Sequence, residues 1–143
     1  MVKEIWFDMD GTITNLYGVY GWQNDIEKER IRPYQQAKPL VNMNRLARIL
    51  NKLIRNGYKV NIISWTSKNG SEAYNYAVAE VKKQWLKKHL ASVKFTNIDI
   101  VNYGTPKQIG RSGILFDDEI ENRWAWGVGA YDVNNIIEVL KTL

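Results

Sequence analysis

The stretch Ile5-Trp6-Phe7-Asp8-Met9-Asp10-Gly11-Thr12 decides the fold of this 143-residue chain. A short apolar run, Ile5 to Phe7, leads directly into two carboxylates two positions apart and then a glycine. Alternate residues of a strand share a face, so Asp8 and Asp10 point the same way if the strand runs on. Gly11 favours a turn instead, which leaves both acids on a rim at the strand's carboxyl end. Two close acids facing a cleft repel, and keeping both ionised without a cation is unfavourable. Mg²⁺ relieves that repulsion, because it is a hard ion that takes carboxylate oxygens and shares substrate phosphate.

Outward from this run, short apolar strands alternate with amphipathic helices, which predicts a central parallel sheet with helices on both faces. The first strand covers about Lys3 to Asp8, and a polar and aromatic segment without clean period follows from Ile13 to about Pro39. A helix from about Leu40 to Arg55 carries Met43, Leu46, Ala47, Leu50, Leu53 and Ile54 on one stripe and ends at Asn56-Gly57. Tyr58 to Ser64 reads as the second strand. Ser71 reads as the N-cap of a helix running to about Leu90, with Ala77, Val81 and Trp85 on its stripe. Two short strands are expected near Val93 to Phe95 and Ile98 to Val101, and a buried strand at Gly113 to Phe116. A short helix at Ile120 to Trp126, a strand near Gly129 to Tyr131 and a helix from Val133 to about Thr142 complete the reading. With no repeat and no linker, residues 1–143 read as one domain.

In open α/β sheets the site lies outside the carboxyl ends of the strands. Four polar signals fall at such ends or in the loops beside them: Asp8 with Asp10, Ser64, Lys107, and Asp117 with Asp118. Ser64 closes the run Val60-Asn61-Ile62-Ile63, where its hydroxyl and the following amides suit a phosphate oxygen or serve only as a cap. Lys107 lies in the turn-rich Tyr103-Gly104-Thr105-Pro106-Lys107, and alone it reads equally as a surface lysine. Asp117-Asp118 follows Gly113-Ile114-Leu115-Phe116 and alone reads equally as helix capping.

Taken in order, Asp8-Met9-Asp10-Gly11-Thr12, Ser64, Lys107 and Asp117-Asp118 resemble the four motifs of the haloacid dehalogenase (HAD) superfamily of phosphohydrolases. The resemblance spans Ile5 to Asn122. It implies a three-layer Rossmann-like fold and a Mg²⁺-dependent phosphatase acting on a phosphomonoester. In that reading Asp8 attacks phosphorus to form an aspartyl-phosphate, and Asp10 protonates the leaving oxygen and then activates water. Lys107 offsets the charge of nucleophile and phosphate, while Ser64 and the amides near Gly11 and Thr12 orient the phosphate oxygens. The resemblance assigns Mg²⁺ to Asp8, the backbone carbonyl of Asp10, Asp117 and Asp118. An acid at Asp10, and Thr12 after Gly11, follow the phosphatase pattern of the family.

Only about fifty residues separate Asp10 from Ser64, and the helix from Leu40 uses a third of them, so no large cap domain fits. Small capless members resemble stand-alone proteins of phage and prophage genomes. An open site suits a large substrate or a homo-oligomer whose neighbour covers it. Residues 13–39 stand where the family has a mobile flap. Aromatics in Asn15-Leu16-Tyr17-Gly18-Val19-Tyr20-Gly21-Trp22, with Trp65, suit a stacked nucleobase or a plugged interface. Trp124 and Trp126 read as packing residues.

A net charge of +5 invites a nucleic-acid partner. The basic residues are dispersed, however. Arg45, Arg48, Lys52 and Arg55 fall on one helix face and Lys82, Lys83, Lys87 and Lys88 on another, and both read as solvated faces. The balance favours an anionic substrate, and with the resemblance the leading reading is a nucleotide or other small phosphate ester. A polynucleotide end phosphatase and a nucleotide-sequestering protein with little turnover are the alternatives. Zero cysteines exclude disulfides and thiolate metal sites, and one histidine disfavours a histidine-rich zinc site. No run approaches a membrane span, and Met1-Val2-Lys3-Glu4 carries no signal-like apolar region, so a cytoplasmic protein is expected.

Overall fold

The computed structural model describes residues 3–143; Met1 and Val2, the start of the segment read for a signal sequence, lie outside them. The chain runs through β1 (Glu4–Phe7), β2 (Thr14–Asn15), α1 (Trp22–Glu27), α2 (Arg32–Gln36), β3 (Lys38–Pro39) and α3 (Met43–Arg55). It continues through β4 (Lys59–Trp65), α4 (Glu72–His89), β5 (Asn97–Val101), β6 (Ile114–Phe116), α5 (Ile120–Trp126), β7 (Ala130–Tyr131) and α6 (Ile136–Lys141). Five strands form one sheet in the order β5-β4-β1-β6-β7, with every pairing parallel. β1 is central, and Phe7 lies opposite Ile62 on one side and Phe116 on the other. Such a strand is covered on both faces, which is why Ile5, Trp6 and Phe7 read as an unbroken apolar run.

The two faces are covered unequally. Ile5, Phe7, Val60, Ile62 and Phe116 share the main core with Leu46, Leu50 and Leu53 of α3, Trp85 and Leu86 of α4, and Ile136 and Leu140 of α6. The chain steps from β1 to β4 to β5 in one direction, and right-handed crossovers then place α3 and α4 on the same side. The return to β6 passes over the other face as an irregular stretch, residues 102–113. There Trp6 Nε1 donates to the Ser112 carbonyl at 3.1 Å and the Arg111 guanidinium lies 5.3 Å from the Trp6 ring centre. Trp126 of α5 and Ala130 complete that smaller core around Trp6, Ile63 and Leu115. The α/β architecture with helices on both faces stands, with one layer thin.

Local signals placed the helix ends well. Asn42 caps α3 by accepting from the Arg45 amide at 3.0 Å, so the helix starts after Leu40. Ser71 caps α4 by accepting from the Tyr74 amide at 3.1 Å. Three expectations need correction. Val93 to Phe95 forms no strand; Val93 is buried and the ladder with β4 begins only at Asn97. Trp124 is 81% exposed rather than packed, because it sits two residues from Trp126, on the opposite side of a short helix. The last helix is interrupted, a 3-10 turn at Val133–Asn135 preceding α6.

Residues 13–39 fold as a small unit docked on α4. β2 and β3 pair antiparallel at its base, and α1 and α2 lie between them. Helices of six and five residues are too short to show a period, which is why the sequence read as irregular here. Leu16 and Tyr34 pack on Tyr74 and Val78 of α4. The Glu29 carboxylate accepts from the Ser71 amide at 2.7 Å and its hydroxyl at 2.9 Å, and Tyr74 donates to the Arg30 carbonyl at 2.8 Å. Among the described residues there is no large cap, and no helix is long and apolar enough to cross a membrane.

Candidate active site

The carboxyl ends of β1, β4 and β6 meet at one rim, and the chain turns sharply there. The Met9 carbonyl accepts from the amides of Thr12, Ile13 and Thr14, each at 3.0 Å, so Asp8 to Thr14 closes into a tight loop. Gly11 sits at φ +79°, and a Cβ at this position would run into the Asp118 carboxylate and the Tyr17 ring. Glycine is therefore required both for backbone angle and for space. The amides of Gly11 and Thr12 are taken by the loop itself, bonding to Thr14 and Met9 carbonyls. The sequence reading placed the phosphate on backbone amides near Gly11 and Thr12, and these two are already bonded within the loop. The amides with no acceptor among the described residues are one step earlier, at Met9 and Asp10.

Asp8 is buried and held from two sides. Thr12 Oγ1 donates to its Oδ2 at 2.9 Å, and Lys107 Nζ donates to its Oδ1 at 3.0 Å. The same ammonium donates to Asp117 Oδ2 at 2.7 Å, so a lysine from the 102–113 crossover joins the acids after β1 and β6. Asn122, from α5, also donates to Asp117 Oδ2 at 3.2 Å, and the Glu119 amide donates to Oδ1 at 2.9 Å. Asp118 is held more loosely: its amide donates to Thr12 Oγ1, and its Oδ1 lies 3.3 Å from that hydroxyl.

Asp10 has a partner that sequence reasoning missed. Lys82 of α4, read from the sequence as one of four solvated lysines, is only 2% exposed. Its Nζ donates to Asp10 Oδ2 at 2.7 Å, Ser64 Oγ at 2.8 Å and the Trp65 carbonyl at 2.7 Å. The signal was in the spacing: Tyr74, Val78, Lys82, Leu86 and Leu90 recur every fourth residue, and all five are buried. Of the stripe read as Ala77, Val81 and Trp85, Trp85 is buried in the main core, while Ala77 and Val81 are half-buried beside the every-fourth-residue row. Ser64, fully buried, is likewise engaged with Lys82 and does not line the cavity described next.

A cavity of about 240 Å³ opens over these groups, lined by Asp8, Asp10 and Lys107 and by the rings of Tyr17, Trp22, Tyr34, Trp65 and Tyr103. Tyr17 and Trp22 meet edge to face at 5.0 Å, and Trp65 and Tyr103 tilt together at 4.9 Å. Trp65 is itself fixed, its Nε1 donating to the Thr105 carbonyl at 2.9 Å and its ring lying 4.9 Å from the Lys107 ammonium. Tyr20, by contrast, is almost wholly exposed and takes no part. A wider groove of about 580 Å³ lies between α4 and β5, but Glu80 is its one lining carboxylate. Chemistry rather than size marks the site.

The acids outnumber their cations. Asp8, Asp10, Asp117 and Asp118 face two ammonium groups, Lys82 and Lys107. Burial, and then the charge of Asp8, pushes Asp117 up to about 6 and Asp118 up to about 8. Asp10 is also raised, by burial against the opposing pull of Lys82. For Lys107, burial acts downward, yet Asp8 and Asp117 hold the ammonium above its ordinary value. Carboxylate oxygens of Asp8, Asp117 and Asp118 lie within 4.8 Å of one another. An excess of close, desolvated carboxylate oxygens is the donor set that a hard divalent cation takes, so the residues fit Mg²⁺.

No protein-family model matches this chain, and no curated protein matches it. Among solved structures, D,D-heptose 1,7-bisphosphate phosphatase from Burkholderia thailandensis shares the fold with a TM-score of 0.52. The superposition covers 87% of this chain and 71% of that one at 15% sequence identity. At that identity the likeness is one of fold.

Proposed function

We propose that residues 1–143 form one catalytic domain of the haloacid dehalogenase type, with residues 13–39 as a minimal cap. Its reaction is the Mg²⁺-dependent hydrolysis of a phosphomonoester through an aspartyl-phosphate on Asp8. The observation that carries this reading is the Lys107 ammonium joining Asp8 to Asp117 while Asp8 and Asp10 line one cavity. The shared fold with a sugar bisphosphate phosphatase supports it.

Asp8, Asp117 and Asp118, with the backbone carbonyl of Asp10, would hold Mg²⁺, which when bound supplies positive charge to the phosphoryl oxygens. An Asp8 carboxylate oxygen attacks phosphorus as the bond to the leaving oxygen breaks, and Asp10 gives that oxygen its proton. The raised position of Asp10 suits a carboxyl that must carry a proton. In the second half Asp10 takes a proton from water, whose oxygen attacks phosphorus; the Asp8–phosphorus bond breaks and phosphate leaves. Lys107 balances charge on Asp8 throughout, and the Met9 and Asp10 amides donate to phosphoryl oxygens, while Ser64, buried away from the cavity, accepts from Lys82.

A volume of about 240 Å³ falls below the roughly 300–1,000 Å³ of drug-sized pockets. The aromatic lining and this size support a nucleotide, or another small ester with a flat apolar group. Phosphate release from a panel of nucleotides and sugar phosphates with Mg²⁺, native protein against Asp8→Asn, tests the proposal. Turnover by native protein that Asp8→Asn abolishes is expected, and no turnover of any phosphomonoester would sink it.

A further inference from the structure

Lys82 is a lysine buried in a catalytic rim without touching the cavity. An ammonium has three N–H donors, and Asp10, Ser64 and the Trp65 carbonyl accept one each at 2.7–2.8 Å. No donor is left for a substrate, and Lys82 is absent from the cavity lining. The Tyr34 ring of α2 lies 5.4 Å from the ammonium, so the docked insert covers it. Lys82 therefore does not bind phosphate as a second Lys107.

Its effect falls on Asp10. That carboxylate has one other side-chain contact, Thr14 Oγ1 at 3.4 Å from Oδ1, which is long for a hydroxyl hydrogen bond. Asp8 differs: Thr12 and Lys107 hold its two oxygens independently. Lys82 takes Oδ2 of Asp10 and leaves Oδ1 as the oxygen with spare capacity. The lysine is in turn fixed by two groups at the end of β4, so it ties the loop after β1 to its neighbouring strand.

Resting on the phosphatase reading above, we infer that Lys82 is a positioning residue that holds the Asp10 carboxyl at the leaving-group oxygen. The position of a proton donor matters only where the leaving oxygen needs a proton. An alkyl phosphate expels a strongly basic alkoxide and depends on Asp10, whereas p-nitrophenyl phosphate expels a weakly basic phenolate and does not. Loss of Lys82 thus separates the two substrates, which a general loss of structure does not.

The test compares native protein, Lys82→Met and Lys82→Gln with Mg²⁺ in single-turnover reactions of p-nitrophenyl phosphate and an alkyl phosphate, alongside crystal structures of each. Phosphorylation by the alkyl ester is expected to fall about 100-fold, within the range of a lost general acid, with KM little changed. The p-nitrophenolate burst is expected to hold within about threefold, since it needs no proton donor. In the crystals the Asp10 side chain is expected to leave its native rotamer. Equal losses on both esters, or an Asp10 that stays in place in both folded variants, would overturn the inference. The crystallographic arm answers even where native protein cleaves neither ester, a result that counts against the phosphatase reading alone.

Discussion

Lys107 Nζ lies 3.0 Å from Asp8 Oδ1, a contact that spans 99 positions of sequence and stands almost wholly out of water. The same ammonium reaches Asp117 at 2.7 Å, so one cation keeps two buried acids from repelling each other. The arrangement sets how the site responds to substitution, to metal and to pH.

Lys107→Met removes that cation and leaves two buried carboxylates unpaired. Breaking a buried pair from one side costs about 3–5 kcal/mol. Chemical denaturation without metal is expected to register a loss of that order. Added Mg²⁺ is expected to recover part of it, because the metal supplies charge to the same acids. Phosphate release is expected to fall more than about 100-fold, as for other lost charge-stabilising groups. A variant as stable as native protein without metal would contradict the pairing.

The pH dependence has a definite sign. Asp117 and Asp118 are raised to about 6 and about 8 in the metal-free fold by burial and the charge of Asp8. Between their ordinary range near about 4 and those values, the folded state binds more protons than the unfolded chain. Stability contributed by these groups is therefore intact below about pH 4 and is lost as pH rises toward 8. Mg²⁺ competes with the protons, so its increase in Tm is expected to be larger at pH 8 than at pH 5.5. Equal increases at both pH values in thermal melts would exclude this linkage.

Gly11→Ala places a Cβ against the Asp118 carboxylate and forces a side chain into φ +79°. The strain is about 1–3 kcal/mol, and the displaced carboxylate belongs to the proposed metal set. Weaker Mg²⁺ binding by calorimetry is expected together with a lower Tm. Gly57→Ala is the control: it shares the positive φ, but no atom lies within 4 Å of its Cβ, so only the backbone strain applies.

Trp65→Ala and Tyr17→Ala probe the substrate. Loss of one stacked ring is worth about 1–3 kcal/mol. If a base sits in the cavity, KM for a nucleotide rises about 5- to 150-fold while kcat for p-nitrophenyl phosphate holds. Steady-state kinetics on both substrates read the difference, and parallel changes on both would argue for an ester without a base.

What the sequence determined by itself was local. The acids at Asp8, Asp10, Asp117 and Asp118 lie where an apolar run stops, and the end of a buried parallel strand is visible in a few consecutive residues. Asn56-Gly57 and Ser71 marked helix ends for the same reason, since caps act through neighbouring amides. What only the tertiary structure decided were contacts between distant faces. Lys82 looked solvated because a long aliphatic stem can carry its charge away from the helix and satisfy it elsewhere; here that charge ends at Asp10, 72 residues away in sequence. Residues 13–39 gained order from docking on α4, as helices of five and six residues have too little intrinsic stability to announce themselves. Trp124 and Trp126 were indistinguishable by composition, and the packing of one seven-residue helix exposed the first and buried part of the second.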